Sequence, residues 1–163
     1  MALSKDEIKT AYPLPVYNYR VEMIGSDGAA VTVAFSEVSG LNISYETTTY
    51  KESPVESGSP GPRVMHMPAQ GTPANVTLNK GLVRGTSVAT FFDWINSIQI
   101  NQVEKKDIYV RLLDENGDAV ISWKVTNAFP TTLNAPSFDA NSNDVAIESM
   151  ELMGDGIAIV EES

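Results

Sequence analysis

Ile108-Tyr-Val-Arg-Leu-Leu-Asp-Glu-Asn-Gly-Asp-Ala-Val-Ile-Ser-Trp-Lys-Val125 is the stretch that decides the fold class. Ile108, Val110 and Leu112 alternate with Tyr109 and Arg111, so a period of two separates an apolar face from a polar one. Asn116-Gly117 then predicts a tight hairpin turn, because both residues accept positive φ. The return run puts Ile121, Trp123 and Val125 on one face and Ser122, Lys124 and Thr126 on the other. Two half-buried strands joined in this way predict an antiparallel sheet.

The same period recurs on both sides of this hairpin. Upstream, Tyr17, Tyr19, Val21 and Met23 oppose Asn18, Arg20 and Glu22, and a Ser26-Asp27-Gly28 turn leads to Val31, Val33 and Phe35. Ser39-Gly40 breaks the chain before Ile43, Tyr45, Thr47 and Thr49 alternate with Ser44, Glu46, Thr48 and Tyr50. Both faces of that strand are semi-polar, so one of them is expected to meet water or another subunit. A further strand covers Asn75–Asn79 and closes at Lys80-Gly81. Downstream, a strand begins near Asp144, with Val145 and Ile147 out of phase with Met150 and Leu152. The slip near Ser149 predicts a β-bulge, and Asp155-Gly156 predicts a final hairpin into Ile157–Val160.

One segment has a different period. Val88, Phe91, Ile95 and Ile98 predict an amphipathic helix over 87–100, with Thr86 or Ser87 as its N-cap. Residues 1–13 read as an N-terminal arm ending in the extended Tyr12–Pro15 stretch. Residues 14–163 read as a single domain. It is interrupted by a long Pro/Gly loop at about 51–73, with a short strand at 63–67 inside it. The expected fold is mainly β: an antiparallel barrel or sandwich with one flanking α-helix.

Composition narrows the function. At 163 residues and 17.6 kDa the chain is long enough for a core, and a compact monomer would expose roughly 7,900 Å². Eleven Lys and Arg against 21 Asp and Glu give a net charge of −10, which disfavours nucleic-acid phosphates and anionic membranes. No apolar run is long enough to span a bilayer, and Met1–Glu7 lacks the apolar core of a secretory signal. With no cysteine and only His66 as an imidazole, neither a thiolate nor a histidine metal site is expected. A Ser-His-Asp set would need Ser57 or Ser59 beside His66, and no strand-turn-helix elbow presents either serine. Asp114-Glu-Asn-Gly-Asp118 opens like a calcium loop, but it lacks the later Gly and Glu and reads as a turn. No phosphate-binding glycine motif occurs. The profile favours binding or assembly over enzymology, and no cofactor is expected.

Several segments, in order, resemble the phage-type tail tube protein family. Phe35-Ser-Glu-Val-Ser-Gly-Leu41 resembles its F-S-E-V-S-G-L segment, and Tyr19-Arg-Val21 its first strand. Tyr50-Lys-Glu52 resembles Y-x-E, and Val76-Thr-Leu-Asn-Lys-Gly81 resembles V-T-L-K-x-G. Phe92-Asp-Trp94, the Asp114–Gly117 turn with Trp123, Asn127-Ala-Phe-Pro130 and Asn143-Asp-Val-Ala-Ile-Glu148 complete the series. The resemblance implies an inner-tube subunit of a contractile phage tail or extracellular contractile injection system. It implies hexameric rings stacked into a hollow tube inside a sheath. The implied partners are the chain itself, a sheath protein, baseplate or hub and tube-terminating proteins, and a cargo of effector protein or phage DNA. Assembly would begin in the bacterial cytoplasm and end in a released particle, a membrane-anchored machine or a virion. A type VI secretion-like tube or carrier protein, or a baseplate-proximal tube-terminating homologue, are the alternative implications. The candidates for the subunit interface are Phe35, Glu37, Ser39, Gly40, Leu41, Tyr50, Glu52, Arg63, His66, Asn127, Pro130 and Glu148. Ser44, Glu46 and Thr48 are candidates for the lumen wall. The family's compact Y-x-E-G-G segment is replaced here by Glu52-Ser53-Pro54 and a longer loop.

Overall fold

In the computed structural model, residues 1–54, 58 and 60–162 are described. The chain runs α1 (Lys5–Ala11), β1 (Tyr19–Ile24), β2 (Ala30–Val33), β3 (Glu37–Ser39), β4 (Tyr45–Glu52), β5 (Arg63–Gly71) and β6 (Ala74–Gly81). A π-helical turn (Val88–Phe92) continues into α2 (Asp93–Asn96), followed by β7 (Lys106–Leu113), β8 (Ala119–Asn134), β9 (Ile147–Gly154) and β10 (Gly156–Glu161). All strand pairs are antiparallel.

β8 organises the molecule. Its sixteen residues span about 50 Å. Its first half pairs with β7 on one side and β10 on the other, giving the order β2-β1-β7-β8-β10. Its second half pairs with β9 and continues through β6 to β3. The bend between the halves falls at Asn127, which adopts φ 52°. The Asn127 main-chain N–H donates to Asp107 Oδ1 at 3.0 Å and its side-chain amide to Asp155 Oδ2 at 2.8 Å, fixing the bend from both neighbours. The path of strands is open, running from β2 to β3 without closing, so the fold is a sandwich-like sheet and not a closed barrel.

The core lies between the two halves. Val21 and Met23 of β1, Ile108 and Val110 of β7 and Val125 of β8 meet Val76 and Leu78 of β6 and Met150 and Leu152 of β9. Phe91 and Trp94 enter from the helical segment. The Trp94 indole N–H donates to the Glu104 carbonyl at 2.7 Å, so its polar edge is satisfied.

Several local expectations change. The helical segment ends at Asn96, and its first turn is π-helical, with the Asp93 N–H bonded to the Val88 carbonyl. That wider turn moves Val88 outward, and Ile98 lies past the end of the helix, so both are exposed while Trp94 takes a core position. Ser87 does not cap. Its hydroxyl instead accepts from Lys80 Nζ and from the Val83 N–H. β9 pairs with β6 in unbroken register from Gly81↔Ile147 to Ala74↔Gly154, and the register shift beside it falls on β8, between Pro130 and Thr132, so the extra residue is Thr131 and not one near Ser149. The apparent phase slip arises because Glu148 holds an inward position and Val145 and Ile147 are exposed. Gly156 begins no hairpin. β9 and β10 form one line opposite β8, with Met153↔Phe129 and Gly156↔Thr126 in the same register. The short strand expected at 63–67 is present and extends to Gly71. Residues 5–11 form a helix that the polar composition of the arm concealed. The Ser4 hydroxyl accepts from the Glu7 N–H and the Glu7 carboxylate from the Ser4 N–H, a capping box.

Candidate assembly interface

Among the described residues, three surfaces lack an intramolecular partner. The first is the β4–β5 hairpin, which pairs only with itself, from Tyr45↔Gly71 to Glu52↔Arg63. Thr, Tyr, Met and Val give it strand propensity on both faces, yet nearly all its described residues are exposed. A two-stranded ribbon without a covered face is marginal in water. The second surface is the set of outer strands β2, β3 and β10, each hydrogen-bonded on one side only. The third is apolar: a groove of about 440 Å³ between the inner face of β1, β7 and β8 and the β3 segment. It is lined by Tyr19, Leu112, Trp123, Val38 and Leu41.

The residues singled out in the sequence sort themselves around these surfaces. Phe35 stacks on Phe91, with ring centroids 5.8 Å apart, and its carbonyl accepts the Tyr19 hydroxyl at 2.7 Å. Burial, together with the nearby Glu37 carboxylate, raises the Tyr19 phenol above its usual value. Glu37 and Ser39 are exposed on β3, and the Asn79 amide donates to Glu37 at 3.4 Å. Gly40 adopts φ +85°, and a Cβ there would run into the Asn75 carbonyl oxygen. This close approach brings Leu41 back against the core.

Tyr50, Glu52, Arg63 and His66 lie together on the hairpin. Arg63 and Glu52 are 3.7 Å apart, and His66 Nδ1 is 3.2 Å from the Thr49 hydroxyl. Asn127 forms the exposed bend of β8. Pro130 and Glu148 are a different matter: both are buried within the subunit and serve its interior. Glu148 meets Lys80 Nζ at 3.1 Å, and Lys80 also donates to Ser87 Oγ at 2.7 Å. Sequence reasoning missed Lys80, whose inward position between Leu78 and the β6 end was the available signal.

Of the lumen candidates, Ser44 shares a hydroxyl contact with Thr72 at the base of the hairpin, and Glu46 and Thr48 are exposed along β4. Another polar surface was not foreseen. The outer face of β3, β6 and β9 presents Glu37, Ser39, Asn75, Thr77, Asn79 and Glu151, aligned by Glu37↔Asn79 and Thr77↔Glu151, with no Lys or Arg among these residues. The opposite sheet is mixed. Arg111 bridges Glu22 at 3.2 Å and Glu162 at 2.7 Å and packs on Tyr109.

Ser57 and Ser59, named for the Ser-His-Asp reading, lie outside the described residues. The Asp114 carboxylate is occupied by its own turn, accepting from the Asn116 and Asp118 N–H groups at 2.9 Å. Among the described residues no group of three His, Asp or Glu side chains is placed to hold a metal ion. No helix among them is long and apolar enough to cross a membrane.

The sheet with its one-sided outer strands, the bare hairpin and the one short packed helix leave several surfaces of the described residues uncovered. Residues 15–158 match the family model of the T4-like virus tail tube protein gp19, and the chain belongs to that family. It is 41% identical to a chain of the sheath-tube complex of the PVC extracellular contractile injection system in the extended state. That match covers 99% of this chain and 100% of the other at a TM-score of 0.84. A chain of the anti-feeding prophage tube terminating cap is 39% identical over 99% and 100% of the two chains, with a TM-score of 0.80. A chain of the PVC sheath/tube terminator is 43% identical over 91% and 97%, with a TM-score of 0.77. None of the curated proteins matches this chain. The family and these similar structures consist of tube proteins of contractile machines.

Proposed function

We propose that this chain is the inner-tube subunit of a contractile injection system. Six copies form a ring, the rings stack into a hollow tube, and a contracting sheath drives that tube into its target. The observation that carries this reading is surface area. The chain exposes 11,482 Å², against roughly 7,900 Å² for a compact protein of its mass. The excess of about 3,600 Å² is enough for several interfaces of standard size, near 800 Å² per partner. It sits on the hairpin, the arm and the apolar rim, where a lone monomer would leave it wet.

Each surface has a task in that assembly. Outer strands of neighbouring copies continue one another's ladder and so abolish free edges. The β4–β5 hairpin reaches an adjacent ring, where its Thr, Tyr and Met side chains gain the cover they lack alone. Gly40, Glu37 and Ser39 set the path of β3 at the ring contact. The tube works by shape and has no enzymatic activity. Its cargo is a protein effector or, in a phage, DNA. The polar face around Glu37, Asn79 and Glu151 suits a wall past which an acidic cargo slides. Ser44, Glu46 and Thr48 belong to that wall only if the hairpin base turns inward. A sheath, a baseplate and a terminating cap are its partners, and assembly begins in the bacterial cytoplasm.

Negative-stain electron microscopy tests the reading. Purified protein, alone and with baseplate extract, should give six-fold rings and stacked tubes. A variant with 46–70 replaced by a two-residue turn should give rings that do not stack. Particles that stay monomeric in both conditions would refute the proposal. Single rings of the unaltered chain that never stack, with or without baseplate extract, would favour the tube-terminating alternative instead.

A further inference from the structure

The chain has six methionines and no cysteine, so no thiol competes with its thioethers for an oxidant. The fold sorts these six side chains. Met23 and Met150 lie in the core, 3% and 0% exposed. Met153 is partly exposed on the outward face of β9, the face that carries Glu151, and Met1 is exposed ahead of α1. Met65 and Met67 differ from all of these. Both lie on β5, within the hairpin that pairs only with itself, and Met67 is 42% exposed.

Alternation puts Met65 and Met67 on the same face of that ribbon. Tyr50 and Thr48 stand opposite them on β4, and the Glu52–Arg63 pair follows on the same face. The other face carries Thr49, Lys51, Val64 and His66. Two thioethers and a phenol ring make the first face suited to burial, and it is open to solvent in the free subunit. A sulfoxide there replaces a soft apolar atom with a strongly polar S–O group. In water that group is hydrated at no cost. Under a covering surface it loses its water, and the covering surface was shaped for an apolar side chain.

We infer that Met65 and Met67 form a peroxide-sensitive modification site, and that their sulfoxides bar the hairpin from its covered position in the tube. This rests on the ring-and-tube reading above and adds a chemical control to it. The oxidant is hydrogen peroxide or another two-electron peroxide. The Sδ lone pair attacks one peroxide oxygen, the S–O bond forms and the O–O bond breaks. The proton on the transferred oxygen passes to the departing hydroxide, which leaves as water. Sulfur loses two electrons and the peroxide gains them. A subunit oxidised before assembly is excluded from tube growth, whereas a finished tube shields the same two sulfurs.

The test is a partition experiment on the full chain. Free subunit is partly oxidised with hydrogen peroxide, catalase destroys the remainder, and baseplate extract is added. Tubes are sedimented, and sulfoxides are mapped by mass spectrometry in pellet and supernatant. Before assembly, Met65 and Met67 should oxidise at least about tenfold faster than Met23 and Met150, which react only when the core opens. Sulfoxide at Met65 or Met67 should then be depleted about tenfold from the pellet relative to sulfoxide at Met153. Peroxide given after assembly should spare both residues. Methionine sulfoxide reductases of both epimer specificities, supplied with a dithiol, should return the excluded subunits to tubes.

Equal oxidation of Met65, Met67, Met23 and Met150 in the free subunit would overturn the site. Equal partition between pellet and supernatant, or oxidation undiminished by assembly, would overturn the exclusion and leave the ring-and-tube reading standing. Excluded subunits that reduction does not restore would also overturn it, since the damage would then lie elsewhere. Failure of untreated protein to form rings or tubes would remove the ring-and-tube reading, and the exclusion with it.

Discussion

Lys80 and Glu148 face each other across β6 and β9 at 3.1 Å, with 3% and 8% of their side chains exposed. The ammonium group also donates to Ser87 Oγ and the Gly81 carbonyl and sits 5.7 Å from the centre of the Phe91 ring. It ties two strands to the loop that begins the helical segment. Glu148→Ala leaves this charge buried without its counter-ion, which costs about 3–5 kcal/mol. The expected fall in Tm is of the order of 10 °C. The double variant Lys80→Met with Glu148→Leu should recover most of it, measured by calorimetry. Equal losses in the single and double variants would refute the ion-pair account.

Gly40→Ala combines a strained φ of +85° with a collision against the Asn75 carbonyl. The two together cost about 2–4 kcal/mol and loosen β3 from β6. Glu37→Ala, at an exposed side chain, should leave stability within about 0.5 kcal/mol of the parent. The informative comparison is by electron microscopy: loss of tubes in a stable Glu37→Ala protein would assign the segment to the ring contact. Normal tubes in both variants would remove it from that role.

Asn127 should be replaceable by glycine more easily than by any other residue. At φ 52° a Cβ without a compensating local hydrogen bond costs about 1–2 kcal/mol, and the link to Asp155 is lost as well. Asn127→Ala is therefore expected to unfold at lower denaturant concentration than Asn127→Gly. Both variants lose the Asp155 link alike, so the reverse order would mean that the left-handed backbone conformation does not limit stability at the bend.

Acid should melt the N-terminal helix before the domain. The Ser4 N–H holds the Glu7 carboxyl below the usual carboxylate value, so its contribution is complete above that value and is lost as pH falls through the lowered one. The N–H groups of Asp118 and Asn116 do the same for Asp114 in the β7–β8 turn. Amide NMR should show Ser4 and Glu7 shifting together in acid, while Phe91 and Met150 in the core stay unchanged. Glu7→Gln should flatten the transition, and an unchanged transition would show that another group controls the helix.

The antiparallel framework was legible because period two and a turn signal coincide at Asn116-Gly117. The core face of β1, β7 and β8 followed from the same alternation. Legibility failed where a charge lies inside. Glu148 on the inward face made β9 look shifted, since alternation by hydropathy cannot see a partner sixty-eight residues away. It failed again where pairing is long-range: Asp155-Gly156 has the residues of a turn, yet β10 runs straight on from β9 beside β8. The exposed hairpin was half visible, because its Pro and Gly residues suggest a loop until the ladder with β4 is known. The interface candidates Pro130 and Glu148 drew attention for a reason that belongs to the interior, where both are buried.

The shared register of β9 and β10 along β8 has a mechanical meaning. From Phe129↔Met153 to Ile121↔Glu161, one antiparallel seam crosses the bend and joins both sheets. A pull along that seam loads its hydrogen bonds side by side, in shear, so they must yield together and not one after another. A thrust delivered to either sheet therefore passes to the other through covalent chain and a row of bonds acting in concert, giving the subunit a rigid spine along its length.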